Sequence, residues 1–167
     1  VVYPLDVLIY ATGFEWMATS TFNQVIGRHG QSLSEKWEEG GTRTFLGIHS
    51  EGFPNLFIVS GPQGGGGSFN FTDAIDQHGD YIVWMLKTLR SEKSNVVDVN
   101  FNAEVEYSEH CRIADERTRP LRDCITYYNG HGEAKAGSLA YYGGGQWHKI
   151  RERAQNSLSP FKFERKG

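Results

Sequence analysis

The residues best suited to hold a ligand are Gly64 to Gly67, with Ser68, Phe69, Asn70 and Phe71 directly after them. A glycine run carries no side chains, so a flat molecule can approach its backbone closely. The residues that follow have a helical pattern. Asn70 or Ser68 is the candidate N-cap, and Asp73 lies in the first turn, where the helix dipole favours negative charge. A helix start presents unpaired N–H groups and a positive dipole end. The stretch therefore suits an anion or a polarised carbonyl. It does not suit a nucleoside triphosphate: no Lys-Ser/Thr follows the glycines, and the spacing is not a GxGxxG opening a βαβ unit. Geometry alone leaves open a second reading, a flexible turn between packed elements. GGGGS also matches a common spacer, but here it runs straight into a capped helix.

Other reactive residue types give less. The histidines include no i, i+4 pair with a carboxylate partner, so they are read as structural or solvent-facing and no metal site is assigned. His78 falls on an apolar helix face, which predicts a hydrogen-bonded packing residue. Ser60 and Ser68 sit near glycines without forming a GxSxG elbow. Cys111 and Cys124 fit neither a zinc spacing nor a disulfide framework, which favours a reducing, cytoplasmic setting. Tyr127, Tyr128, Tyr141, Tyr142 and Trp147 are dense aromatics, read as packing or as a stacking surface for a cofactor. Asn70-Phe71-Thr72 matches a glycosylation sequon by chance, since it lies on the capped helix start.

The elements that would position these residues follow from periodicity. Leu56-Phe57-Ile58-Val59 has the composition of a buried strand. Phe71, Ala74, Ile75, His78, Ile82, Met85, Leu86 and Leu89 share one helical face. Asp6 to Ala11 reads as another buried strand, and Thr44 to Ile48 as a short one. A helix is expected over Ser32 to Glu38, with Leu33 and Trp37 on one side. After a loop at Ser91 to Asn95, a second is expected from about Asn102 to Arg119, on the surface because its apolar face is sparse. A short strand is expected at Leu139 to Tyr142. A last helix carries Trp147, Ile150 and Ala154, and Ser157 to Gly167 shows no pattern.

The chain has 167 residues, 38% hydrophobic and 22% charged, with a net charge of −3. That suits one moderate core and gives no electrostatic case for nucleic acid or an anionic membrane. No apolar run approaches the length of a transmembrane helix. A buried parallel strand at the start would lack neighbours, so the expectation is a piece of a longer protein.

Several segments, in order, resemble a known family. Asp6-Val7-Leu8-Ile9-Tyr10-Ala11-Thr12-Gly13-Phe14 is similar to the D-x-(apolar)2-x-ATGF segment of class B flavoprotein monooxygenases. Gly27, Ser32-Leu33-x-Glu35-x-Trp37, Leu46-Gly47, Gly52-Phe53-Pro54-Asn55-Leu56-Phe57, Gly61-Pro62, Asn70 and Gln77-His78 resemble the C-terminal part of Baeyer–Villiger monooxygenases. Thr126-Tyr127-Tyr128-Asn129-Gly130 resembles their Ser-Trp-Tyr-x-Gly loop, and Tyr142-Gly143-Gly144 a Gly-Gly strand end. GxGxxG and the FxGxxxHxxxW/P fingerprint are absent from this chain.

The resemblance implies an α/β fold: the C-terminal part of a flavoprotein with two dinucleotide-binding domains, with parallel strands, flanking helices and long loops. Residues 1–14 would close the NADPH domain and cross over, 15–120 would close the FAD domain, and 121–167 would form a C-terminal loop, short strand and helix. The activity implied is insertion of oxygen next to a ketone carbonyl, giving an ester or lactone, by a C4a-peroxyflavin formed from FAD, NADPH and O2. The partners implied are the ketone, O2 and the rest of the polypeptide. The family's flavin-side arginine lies upstream, so no catalytic residue is assigned here. The candidate cofactor-binding residues are Gly13 and Phe14 at the crossover, Ser68, Phe69, Asn70 and Phe71 beside the flavin, and Tyr127 toward NADP. The fragment alone is expected to be inactive and to hold FAD weakly. Other readings are a related flavin N- or S-oxygenating enzyme, or a non-catalytic binding or assembly domain.

Overall fold

The computed structural model describes residues 2–12, 20–64, 70–118 and 145–167. Helix α1 spans Ser20–Gln24, α2 Leu33–Gly40, α3 Phe71–Ser91, α4 Phe101–Thr118 and α5 Gly145–Ser157; strands β1, Val96–Val99, and β2, Phe161–Glu164, complete the elements.

Local sequence explains where the helices begin. Ser32 and Glu35 form a reciprocal capping box at α2: each side chain bonds the other's backbone N–H. Asn70 caps α3, its Oδ1 accepting from the Thr72 N–H at 2.9 Å. Along the 21 residues of α3 the buried positions are Ala74, His78, Tyr81, Met85 and Leu89. The apolar stripe is wider than that: Phe71, Ile75 and Leu86 are exposed.

The main core gathers Phe45, Leu46, Ile48, Tyr81, Met85, Val97, Val99, Tyr107, Cys111, Trp147 and Phe161. Leu33, Trp37 and Phe53 form a smaller cluster. α4 is more deeply embedded than its sparse apolar face predicts, because polar Glu104 and Tyr107 are buried beside Cys111.

The sheet differs from expectation. β1 and β2 pair antiparallel, with Val96 opposite Glu164 and Val99 opposite Phe161. Neither was visible as a strand in the sequence, and parallel strands are absent among the described residues. Asp6 to Ala11 forms no strand, having no ladder partner there, and its apolar side chains face outward. Leu56 to Val59 is also not a strand. Its inner contact is one bond from the Ile58 N–H to the Ile48 carbonyl, and the chain turns at Val59-Ser60. Thr44 to Ile48 is a tight reversal closed by a Phe45–His49 bridge, with Leu46 at φ 60° and Gly47 at φ 70°. The expected strand at Leu139 to Tyr142 lies outside the described residues, as do Cys124, Tyr128 and Tyr141.

Asn55 shows how β1 is held without a full neighbour. It sits at φ 59° in the Gly52-Phe53-Pro54-Asn55 turn. Its N–H donates to the Val97 carbonyl, and its Oδ1 accepts from the Val97 N–H, both at 2.9 Å. One asparagine thus acts as a short strand edge.

Candidate cofactor-binding site

The site is built on two footings of the glycine run. The first is the turn Ser60 to Gly64, whose left-handed residues are Ser60 at φ 55° and Gln63 at φ 65°. Gln63 is buried and wired on every side. Its Oε1 accepts from the Thr44 N–H and Thr44 hydroxyl, each at 3.0 Å, and its Nε2 donates to the Thr42 carbonyl at 3.2 Å. Its own carbonyl accepts from the Tyr107 hydroxyl at 2.6 Å. These bonds satisfy the polar groups that the turn carries into the core, as a buried turn requires. The reversal at Gly47 packs against the same turn: a Cβ there would lie 2.2 Å from the Gly64 Cα. From the far side, Trp147 on α5 donates its indole N–H to the Leu46 carbonyl at 3.0 Å.

His78 on α3 completes this footing. Its Nδ1 accepts from the Ser60 N–H at 3.1 Å, and its Nε2 lies 3.1 Å from the Gly64 carbonyl. An Nδ1 that accepts leaves the proton on Nε2, so the geometry selects one neutral tautomer in which Nε2 donates to Gly64. Burial holds the His78 pKa below its ordinary value; the bond to Gly64 opposes that shift, and the Arg151 charge adds to it. The ring stacks on Trp147, centroids 5.3 Å apart. The expected role of His78 as a hydrogen-bonded packing residue is what the structure shows.

The second footing is the start of α3. Asn70 satisfies the Thr72 N–H, and the Ala74 N–H returns to the Asn70 carbonyl. Helix geometry leaves the N–H groups of Phe71 and Asp73 without an intrahelical acceptor. Asn70 is exposed, and Phe71 is 59% exposed. On the first footing, Ser60 Oγ is buried with no hydrogen-bond partner among the described residues. A positive helix end that follows a glycine-rich sequence suits a ligand with an electron-rich edge. Of the predicted site residues, Asn70 and Phe71 stand here, while Gly13, Phe14, Ser68, Phe69 and Tyr127 lie outside the described residues. Gln63, Thr44 and Tyr107 were missed; the signal was Gln63 between a Gly-Pro pair and the glycines, a polar residue where the turn must enter the core.

A buried ion pair braces the scaffold below. Lys36 Nζ lies 2.9 Å from Glu104 Oε1, which also accepts from the Glu51 N–H at 2.8 Å. Burial pushes the Glu104 pKa up, and Lys36 pulls it back. Among the described residues no group of three or more His, Cys, Asp or Glu could hold a metal ion, and no helix is long and apolar enough to cross a membrane.

No family model matches the chain. The Baeyer–Villiger monooxygenase peniC of Penicillium patulum is 32% identical over 139 residues, 78% of this chain and 22% of that protein. This chain belongs to the Baeyer–Villiger monooxygenases. The phenazine N-monooxygenase PhzNO1 of Lysobacter antibioticus is 30% identical over 165 residues, 95% of this chain. A crystal structure of OTEMO in complex with FAD and NADP superposes with a TM-score of 0.76 at 25% identity, covering 98% of this chain and 30% of that one. The chain thus spans less than a third of the length of these Baeyer–Villiger relatives and their kin.

Proposed function

We propose that this chain is the C-terminal portion of an FAD- and NADPH-dependent monooxygenase that inserts oxygen next to a ketone carbonyl to give an ester or lactone. The observation that carries the reading is the start of α3 directly after the glycine run, capped by Asn70 and with the Phe71 and Asp73 N–H groups left without an intrahelical acceptor, in a chain of this family. Residues 1–14 would close the NADPH domain, 15–120 the FAD domain and 121–167 the C-terminal loop, strand and helix, in a cytoplasmic enzyme.

FAD, when bound and reduced, would supply the oxygen activation. The chain's own residues bind and shield. Ser68, Phe69, Asn70 and Phe71 would line the flavin edge, where the helix end stabilises negative charge. Gly13 and Phe14 would pass between the domains. Tyr127 would reach NADP and help exclude water. The fragment alone lacks a pyrophosphate-binding fingerprint and would be inactive.

The test uses the full-length protein. Purified enzyme should be yellow and should consume NADPH in the presence of a cyclic ketone, yielding a lactone one oxygen heavier. A colourless protein, or one that leaves the ketone unchanged, would overturn the reading. The similarity to a phenazine N-monooxygenase favours a second reading, N-oxygenation. A nitrogen heteroaromatic converted to its N-oxide, with ketones untouched, would select it.

A further inference from the structure

α3 carries more apolar surface than the described residues cover. At about 100° per residue, Ile75, Ile82 and Leu86 fall within about 40° of one another around the helix, beside the buried line of Ala74, His78 and Met85. Ile82 packs in part against the main core. Ile75 and Leu86 do not follow it inward: they are 38% and 47% exposed. Gly79 lies between them on the same side, and a Cβ there would meet nothing within 4 Å. A glycine inside a helix weakens it, and no described neighbour requires one here. The far side of α3 is polar, with Asp76, Asp80 and Lys87 exposed. Ile75 to Leu86 is thus a continuous apolar stripe, about 16 Å long, with a dip at Gly79.

We propose that this stripe is an interaction surface for the part of the parent polypeptide that lies outside these residues, with an apolar side chain of that part seated at Gly79. This rests on the reading of the chain as a portion of a longer enzyme. The lengths of the relatives support that occupant. The chain spans less than a third of the Baeyer–Villiger relatives, yet one of their structures superposes on 98% of it. The fold seen here is thus one part of a much longer chain, most of which is free to cover the stripe. Two other occupants fit less well. An anionic membrane surface would meet Asp73, Asp76 and Asp80 on the polar side of the same helix, where an interfacial helix carries lysine and arginine. A second copy needs more area: a stripe about 16 Å long and one helix, about 10 Å, wide falls far short of the roughly 800 Å² that each partner gives to a stable dimer. Covalent linkage holds a segment of the same polypeptide at high effective concentration, so a small patch suffices.

The test uses the full-length enzyme with one introduced cysteine at a time. Ile75→Cys and Leu86→Cys report on the stripe, Asp80→Cys and Lys87→Cys on the polar side. Each is labelled with a maleimide beside the parent, whose own cysteines set the background. On the native enzyme the stripe positions should react about tenfold more slowly than the polar-side ones, because reaction there needs local opening. In urea all four should react alike. Equal rates on the native enzyme would overturn the proposal. So would protection that fades on dilution, which would assign the stripe to a second copy. Leu86→Asp and Lys87→Asp supply a second measurement. A charge buried in the contact should lower the melting temperature, and the same charge on the polar side should leave it near that of the parent. Equal melting temperatures would also overturn the proposal. Flavin colour and lactone formation decide the monooxygenase reading separately. An enzyme that shows both while all four positions label alike keeps that reading and loses the docking surface.

Discussion

At the foot of the glycine run, Thr44, Gln63, Tyr107 and His78 carry polar groups into the interior, and the side-chain donors and acceptors of Thr44 and Gln63 meet partners there. From Val2 to Tyr10 the chain does the reverse. Val7, Leu8, Ile9 and Tyr10 face outward, with Ile9 80% exposed, in a segment with no ladder among the described residues. The first region was built from residues that hydropathy would exclude from a core, and the second from residues it would place there. The difference is where the partners sit. A buried hydrogen bond needs one well-placed group, which a loop can supply locally. A buried strand needs a ladder partner and cover on its faces.

Breaking the saturated region should be costly. Lys36→Ala removes the ammonium 2.9 Å from the buried Glu104 carboxylate and leaves Arg43 Nε at 3.9 Å, an expected loss of up to about 3–5 kcal/mol, read from the urea midpoint. An unchanged midpoint would mean that Arg43 or water compensates the Glu104 charge. Tyr107→Phe strips one donor from the Gln63 carbonyl and should cost about 1–3 kcal/mol.

The same region should be sensitive to acid. Burial beside Tyr81 holds the His49 pKa down from 6.5 to about 3. The unfolded chain takes up this proton first as pH falls through 6.5, so folding loses stability between there and about pH 3, at most about 1.4 kcal/mol per pH unit. Above pH 6.5 the contribution is constant. His78 acts in the same direction. Glu104, its pKa raised, acts in the opposite one above its ordinary value of 4.5. Urea midpoints across this range check the sign, and His49→Gln should flatten the dependence.

The open region should respond least in stability and most in association. Ile9→Asp is expected to shift stability by less than about 0.5 kcal/mol, since the side chain has little to lose. It should lower self-association of the isolated chain, measured by light scattering at high concentration. A marked fall in melting temperature would mean that the segment packs more tightly than its exposure implies.

The sequence revealed what is encoded over short distances. Asn70 and the apolar stripe gave α3, Ser32 with Leu33 and Trp37 gave α2, and the position of His78 among apolar neighbours gave its buried, bonded state. Strands were read poorly because pairing is non-local. Val96–Val99 becomes a strand by meeting Phe161–Glu164, and neither run is long enough to be recognised alone. Leu56 to Val59 misled for the converse reason: its apolar composition serves contacts in a turn rather than a ladder. The buried polar network under the glycines escaped periodicity altogether. Gln63, Thr44 and Glu104 are hydrophilic by type and interior by geometry. The family resemblance drew on motif order, which is why it could suggest cofactor-binding residues where patterning suggested none.

Gly64, bonded to His78, and Asn70, the cap, are both fastened to α3, so the two residues that flank positions 65–69 are held by one helix. Lengthening such a connection is cheap, about 0.6 kcal/mol for each doubling, and leaves its moorings in place. Insertions and deletions there can reshape what the run presents while the turn beneath stays unaltered. The helix thus tolerates a change in the length of this connection more readily than a change at His78 or Asn70, the two residues of α3 that fasten its flanks.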